Sequence, residues 1–504
     1  MADTKREIER KYESDDSGLP DLTGVAGVAA VIDKGVAHLD ATYYDTADGR
    51  LAASSITLRR RTGGSDAGWH LKFPVGPGVR DEIRAPLSDA VPRTLAGLVR
   101  SRVRDAELVP VVRLRSDRDV RDLTDAAGRL LAEVSVDAVF AERLDGDGGD
   151  AQWTEIEVEL ADGGDPAFLD QVEKRLRRAG VRPSGSASKL ARALAETGPR
   201  PKKKRKRGPA ADAGPVTAGD HVLDCLRAQR DAIVELDPAV RRDIDDSVHA
   251  LRVATRRMRS AFRSFGTVLD RSVTDPIGEE LKWLAGELGV DRDQEVLTER
   301  ITAALDALPR ALVTGPVRTR LRTWTHARRG GSRRRLIAVL DGKRYLELLG
   351  ALDALIADPP LSKAAAGAPE KVIAKAVRKD LAQVSALVER ALDLPPGHDR
   401  DVALHEARKR AKRTRYSAEA ATAALGDPAV ALARSMKALQ NLLGDHQDSV
   451  MTREALRDLA AQAQAAGESS FTYGVLYGRE ELRAVRAEEA LPGAWSRARA
   501  AAAV

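Results

Sequence analysis

Along the first two hundred residues, short runs alternate polar and apolar positions with a period of two, the spacing of a β-strand whose side chains face opposite sides of a sheet. The run Glu7-Ile8-Glu9-Arg10-Lys11 puts Glu7, Glu9 and Lys11 on one face, while Ile8 and Tyr12 point the other way. Residues 42–46 lead to a turn at Asp48-Gly49, and residues 56–61 set Arg59 beside Arg61. Residues 69–73 place Lys72 opposite Leu71 and Phe73, and residues 81–84 align Glu82 with Arg84. Residues 111–115 do the same for Arg113 and Arg115, and residues 131–137 for Glu133 and Asp137. Finally Glu155, Glu157 and Glu159 alternate with Ile156, Val158 and Leu160. Turn residues at 63–66, 76–78 and 146–149 separate these runs, as antiparallel hairpins require. Residues 166–178 read as an amphipathic helix stopped at Gly180, which plugs or flanks the sheet.

From residue 216 onward the period changes to that of helices rich in Ala, Leu, Arg and Glu. His249, Arg252, Arg256 and Arg259 fall within about 80° on such a helix. His405, Arg408, Lys412 and Arg415 repeat that stripe 156 positions later, and Arg257 and Arg413 correspond as well. A second echo follows: Leu281-Lys282 with Leu288-Gly289 and Asp293 matches Met436-Lys437 with Leu443-Gly444 and Asp448. The sustained spacing implies an internal duplication of helical hairpins.

One alternating strand with a charged face is ordinarily a solvated one. Several that sort by sign imply more. Arg59, Arg61, Lys72, Arg84, Arg113 and Arg115 are basic, whereas Glu7, Glu9, Glu155, Glu157 and Glu159 are acidic. A sheet closed around both sets suits a polyphosphate with divalent ions, since carboxylates ligate Mg²⁺ or Mn²⁺ and Arg forks grip phosphate oxygens. In the helical half, stacked like charges repel unless an anion bridges them. Aromatic residues make up only 4% of the chain, so base stacking is poorly served and a phosphate polymer fits better than single-stranded nucleic acid.

At 504 residues two or three domains are expected. The net charge of +6 favours an anionic partner. Four of the 19 lysines lie within residues 201–207, in a Pro/Gly/Ala-rich stretch that reads as a linker or an anion-binding arm. Cys225 is the single cysteine, which excludes an intramolecular disulfide framework and fits a reducing cytoplasm. No signal peptide or membrane-spanning run is visible. Nor is there a P-loop, because the pair Gly342-Lys343 is followed by Arg344, and neither a Gly-x-Ser-x-Gly elbow nor zinc spacing occurs.

The ordered set Glu7-x-Glu9-x-Lys11, Tyr44-Asp45-Thr46, Leu58-Arg59-Arg60-Arg61, Trp69-His70-Leu71-Lys72, the 155–160 run and Ser188-Lys189 resembles the CYTH family, the triphosphate tunnel metalloenzymes. The resemblance covers residues 1–197 and implies an antiparallel β-barrel enclosing a tunnel. It implies metal ligation by Glu7, Glu9 and two of Glu155, Glu157 and Glu159, with the choice among the three open. It also implies catalytic roles for Glu7, Glu9, Lys11 and Lys72. Phosphate contacts would come from Arg59, Arg61, Arg113, Arg115 and Lys189, with Arg84 a further position. The implied chemistry is metal-assisted phosphoryl transfer to water, with Mg²⁺ or Mn²⁺ as cofactor.

The His-x-x-Arg-x-x-x-Arg-Arg-x-Arg core and Leu-Gly-x-x-Arg292-Asp293 resemble the CHAD family, named for conserved histidines in an α-helical domain, over residues 216–495. In the second repeat Gln447 replaces Arg292. This resemblance implies two pseudo-symmetric helical bundles whose basic cleft binds inorganic polyphosphate. The implied contacts are His249, Arg252, Arg256, Arg257, Arg259 and Lys282 in one repeat. Those of the other are His405, Arg408, Lys412, Arg413, Arg415 and Lys437.

The expected chain is therefore a tunnel barrel (1–197), a basic linker (198–215) and an all-α polyphosphate-binding domain (216–504). The expected activity is a metal-dependent triphosphatase acting on inorganic triphosphate or a related triphosphate. The competing reading is a non-catalytic polyphosphate-granule protein with a phosphate-sensing barrel, and nucleic-acid binding is a third. The expected location is the cytoplasm, with polyphosphate granules a further site.

Overall fold

A computed structural model describes residues 3–14, 18–146, 148–198, 216–329 and 332–500, without the side chains of 290–295, 327–329 and 332. The chain divides into two compact units, Met1–Pro209 and Ala210–Val504. The basic run 201–207 lies outside the described residues, as do the side chains of Arg292 and Asp293.

The first unit runs β1 (Asp3–Ser14), β2 (Ala30–Asp45), β3 (Thr57–Thr62), β4 (Gly68–Gly76), β5 (Val79–Ala85), α1 (Arg93–Val103), β6 (Val109–Thr124), β7 (Leu130–Arg143), β8 (Asp150–Leu160), α2 (Ala167–Arg178), β9 (Arg182–Pro183) and α3 (Lys189–Thr197). Neighbouring strands follow the order β5-β4-β3-β2-β6-β7-β8-β1-β9, and β5 also pairs with β1, which closes an eight-stranded antiparallel barrel. β1 pairs with β5 along Asp3 to Ile8 and with β8 along Glu9 to Ser14. At that change of partner Gly78 (φ +67°) comes so near β1 that a Cβ would stand 2.6 Å from the Glu9 carbonyl oxygen, so the hairpin requires glycine there.

The alternation fixes which residues are inside. Leu58, Trp69, Leu71 and Ile83 point outward and bury against Leu95, Leu98 and Val99 of α1. Ile156 and Val158 point outward beneath Leu169, Val172 and Leu176 of α2, so this helix flanks the wall. α3 closes one end instead: Leu190 and Ala193 pack on Tyr43, Val112, Leu114, Val139, Ala141 and Trp153. The interior thus changes from apolar under α3 to charged further along. An eight-stranded barrel has room for its own side chains and one small ligand, so the charged stretch sets the chemistry.

The second unit is all helix apart from short connections. It comprises α4 (Ala218–Arg241), α5 (Ser247–Ser264), α6 (Arg271–Glu287), α7 (Val290–Asp306), α8 (Val317–Arg329), α9 (Ser332–Asp341), α10 (Lys343–Ala357), α11 (Pro369–Asp393), α12 (His398–Ala420), α13 (Thr422–Leu425), α14 (Asp427–Ala465) and α15 (Phe471–Ala500). The two histidine-led stripes lie on α5 and α12, which pack against each other. One core joins Leu251, Met258, Phe262, Leu281 and Leu284 to Leu404, Ala411, Met436 and Leu439, so the apolar faces of both repeats meet. A second core, around Trp324, Leu456 and Tyr473, joins α7 and α8 to α14 and α15. No helix among the described residues is long and apolar enough to cross a membrane.

Candidate active site and anion-binding cleft

Register brings the charged positions of the barrel into rows. Lys5 pairs with Glu82, which pairs with Lys72. Lys11 stands opposite Glu157, which faces Ser135, and Glu9 opposite Glu159, which faces Glu133. Asp137 stands between Arg118 and Glu155. All of these except Ser135, Asp137 and Glu155 line a cavity of about 480 Å³.

Inside it, ammonium and guanidinium groups are shared among carboxylates. Lys72 Nζ donates to Glu7 Oε2 at 2.5 Å and lies 3.5 Å from Glu82 Oε1. Lys11 touches Glu157 and sits 3.2 Å from Glu9 Oε1, while Lys5 reaches Glu159 at 2.6 Å. Arg118 grips Asp137 through two hydrogen bonds of 2.7 and 2.9 Å and reaches Glu157 at 2.7 Å. Ser188 caps α3 by accepting from the Ala191 amide, and this sets Lys189 at the first helical position. From there Lys189 Nζ lies 3.0, 2.8 and 2.6 Å from Asp137, Glu155 and Glu157. Across the cavity Arg59 donates to Tyr43 Oη at 3.2 Å, Arg61 pairs with Asp66, and Arg84 Nε donates to Glu82 at 2.5 Å.

The fields pull the carboxylates apart. Burial raises the Glu7 carboxyl, and Lys72 offsets this only in part. Burial also opposes ionisation of Glu9 and Glu157. Burial is the largest single influence on each, but for Glu9 the ammoniums of Lys11, Lys72 and Lys189 together outweigh it, and for Glu157 Lys11, Lys189 and Arg118 together do, so both stay below the usual carboxylate range. Lys189 is held above its ordinary value despite burial, by Asp137, Glu157 and Glu155. Asp137, Glu155 and Glu157 each place an oxygen within 4.8 Å of the others, a buried group of hard oxygen donors able to hold a metal ion.

Of the expected residues, Glu7, Glu9, Lys11, Arg59, Arg61, Lys72, Arg84, Glu157, Glu159 and Lys189 line the cavity. Glu155 is buried in the acid group, from which Glu7, Glu9 and Glu159 are absent. Arg113 and Arg115 are corrected: they lie outside the barrel. Exposed Arg113 grips half-buried Asp40 at 2.5 Å, and Arg115 lies over Phe140, 4.8 Å from its ring centre. The cause is that Val112 and Leu114 turn inward under α3, which forces their neighbours out. The inward arginine of β6 is Arg118, on the opposite parity. Also unassigned from sequence were Glu82 and His70, whose Nδ1 lies 2.8 Å from Glu82 Oε1.

In the helical unit, α5 and α12 line a cleft of about 790 Å³. His249, Arg252, Arg256 and Arg259 face it from α5, and His405, Arg408, Lys412 and Arg413 from α12. Burial together with Arg256, Arg408, Arg415 and Arg252 brings the Lys412 ammonium down to about 7. Burial and Lys409 lower His405 as well. Four expected contacts do not line the cleft. Arg257 bonds Glu419 at 2.9 Å, and Arg415 pairs with the same carboxylate at 3.3 Å, both beside the Tyr416 ring. Lys282 is exposed on Glu279, and Lys437 is exposed. The echo around these lysines marks the buried Leu281/Leu284 and Met436/Leu439 pattern, which faces the core while the lysines face away. Among the described residues, four further cations line the cleft: Arg263, Arg300, Lys409 and Arg410. Arg263 continues the α5 stripe and was within reach of the periodicity. Arg300 comes from α7 by tertiary packing alone.

The model of the CYTH domain matches residues 5–194, and that of the CHAD domain matches residues 224–457. The chain belongs to the family of proteins that join a CYTH domain to a CHAD domain. The uncharacterized protein MT2285 of Mycobacterium tuberculosis is 41% identical over 508 residues, spanning 97% of this chain and 95% of that protein. Among solved structures, PptA from Streptomyces chartreusis is similar at 22% identity and a TM-score of 0.47, over 56% of this chain and 99% of that one. The CHAD domain from the plant Ricinus communis is similar at 22% identity and a TM-score of 0.41, over 56% of this chain and 92% of that one.

Proposed function

We propose that the barrel hydrolyses phosphoanhydride bonds of inorganic triphosphate or a related triphosphate with Mg²⁺ or Mn²⁺, while the helical unit binds inorganic polyphosphate. The observation that carries this reading is a closed barrel whose interior cations are already paired with interior carboxylates. An incoming triphosphate competes for Lys11, Arg59, Arg61, Lys72, Arg84, Arg118 and Lys189, since cations grip phosphate oxygens and Arg forks do so bidentately. Carboxylates relieved of those partners become donors for a hard divalent ion. Asp137, Glu155 and Glu157 would hold it, with Glu7, Glu9 and Glu159 on neighbouring rows. Bound there, the ion would supply charge for the phosphate oxygens and lower the pKa of a water. The chain's own side chains orient the phosphates and stabilise charge growing on the leaving group.

Among the described residues the cleft gathers twelve cationic or imidazole side chains, eleven of them from α5 and α12, against the two acids Glu406 and Asp448, which favours a polyanion. Carrying both sites on one chain raises the local concentration of substrate without new contacts.

Glu9→Gln separates the two roles. Metal-dependent phosphate release should disappear while polyphosphate binding stays unchanged. Joint loss counts against independent sites. In competition, excess polyphosphate should displace DNA far better than DNA displaces polyphosphate.

A further inference from the structure

Gly289 and Gly444 occupy matching positions after Leu288 and Leu443, and each lies against an arginine of the matching stripe. Neither needs to be glycine for its backbone. Gly289 has φ −93° and ψ −21°, a conformation open to every L residue. Gly444 sits inside α14, where alanine would strengthen the helix. What distinguishes them is space. A Cβ on Gly289 would stand 2.8 Å from Arg252 Nη2, closer than atoms tolerate, and tight at 3.1 Å against the Ala285 carbonyl oxygen and 3.2 Å against Arg252 Cζ. A Cβ on Gly444 would meet Arg408 Nε and Nη2 at 3.5 Å, an ordinary contact. Arg252 is 6% exposed and still lines the cleft, so its guanidinium is sunk into the wall beside the α6–α7 junction.

We infer that Gly289 is a positioning residue of the anion cleft: the missing side chain is the seat of the Arg252 guanidinium, and the equivalent seat at Gly444 has room to spare. This rests on the polyphosphate reading of the cleft. The one contact under 3.0 Å is with the end of a flexible side chain, while the Ala285 carbonyl at 3.1 Å needs to give by only a few tenths of an ångström, so the variant folds but presents Arg252 wrongly. The asymmetry makes Gly444→Ala the control.

The test is titration of the full chain with inorganic polyphosphate at one fixed salt concentration, alongside thermal melts. Gly289→Ala should weaken binding about tenfold, the size of one charge-assisted contact, with the melting temperature retained. Gly444→Ala should bind within about twofold of wild type. Adding Gly289→Ala to Arg252→Ala should weaken binding no further than Arg252→Ala alone, because both remove the same contact. Wild-type affinity for Gly289→Ala, or an equal loss from it in the Arg252→Ala background, overturns the seat. If Gly289→Ala melts early, Arg252→Lys reads the same seat without touching the glycine: several-fold weaker binding supports the proposal, and unchanged binding overturns it. A wild-type chain that does not bind polyphosphate overturns the reading of the cleft itself, and the seat with it.

Discussion

Lys189 holds its ammonium 2.6 Å from Glu157 Oε1, in the middle of the acid group completed by Asp137 and Glu155. It stands where a bound cation would stand. Removing it by Lys189→Met leaves three buried carboxylates short of a partner, and an uncompensated buried charge costs about 3–5 kcal/mol. The barrel's melting transition should fall by about 10 °C. Millimolar Mg²⁺ should restore much of that loss by binding only the folded state. Calorimetry with and without Mg²⁺ checks this. A variant that Mg²⁺ does not rescue would show that the acid group is not the metal site.

The opposite parities of Arg118 and Arg113 give a second prediction. Arg118→Ala should lower kcat/KM for tripolyphosphate by about 10²–10³-fold, the effect of losing one preorganised charge at the reacting group. Arg113→Ala and Arg115→Ala should change it less than about twofold, since surface ion pairs of this kind contribute little. Steady-state phosphate release separates the two outcomes.

These arginines also mark where the sequence stops being legible. Period-two alternation assigns residues to the same face, but it does not say which face is inside. For Glu7, Glu9 and Lys11 the sign was readable because several strands carried charge in step. On β6 the same rule placed Arg113 and Arg115 correctly together and wrongly inside. Leu114 looked like an ordinary outer-wall residue, yet it is buried beneath α3, whose docking no local pattern announces. On the helices the 3.6 period read the α5 and α12 stripes well as far as their edges, where Arg257 and Arg415 turn to Glu419 instead. Lys282 and Lys437 were drawn in by a repeat that records shared packing rather than a shared binding surface.

Polyphosphate binding should depend on pH through Lys412. Burial and four neighbouring arginines lower its ammonium to about 7 in the free cleft. A polyanion favours the charged form and raises that value, so below pH 7 the lysine is already protonated and binding is strongest. As pH rises through 7, binding must take up a proton and affinity falls, by at most about tenfold per pH unit for this one group. His405, lowered by burial and Lys409, acts in the same direction. Titrations in buffers of different ionisation enthalpy between pH 6 and 9 should reveal proton uptake. Lys412→Arg should reduce the slope. Affinity that is flat over this range in the wild-type chain contradicts the assignment.

The most direct measurement is phosphate release from tripolyphosphate by the full chain with Mg²⁺ or Mn²⁺, before and after removal of the metal by chelation. Turnover that requires the metal, and that Lys72→Ala and Glu9→Gln both abolish, is the predicted result. A folded chain that binds polyphosphate but releases no phosphate with either ion would contradict the account and leave the barrel a phosphate sensor.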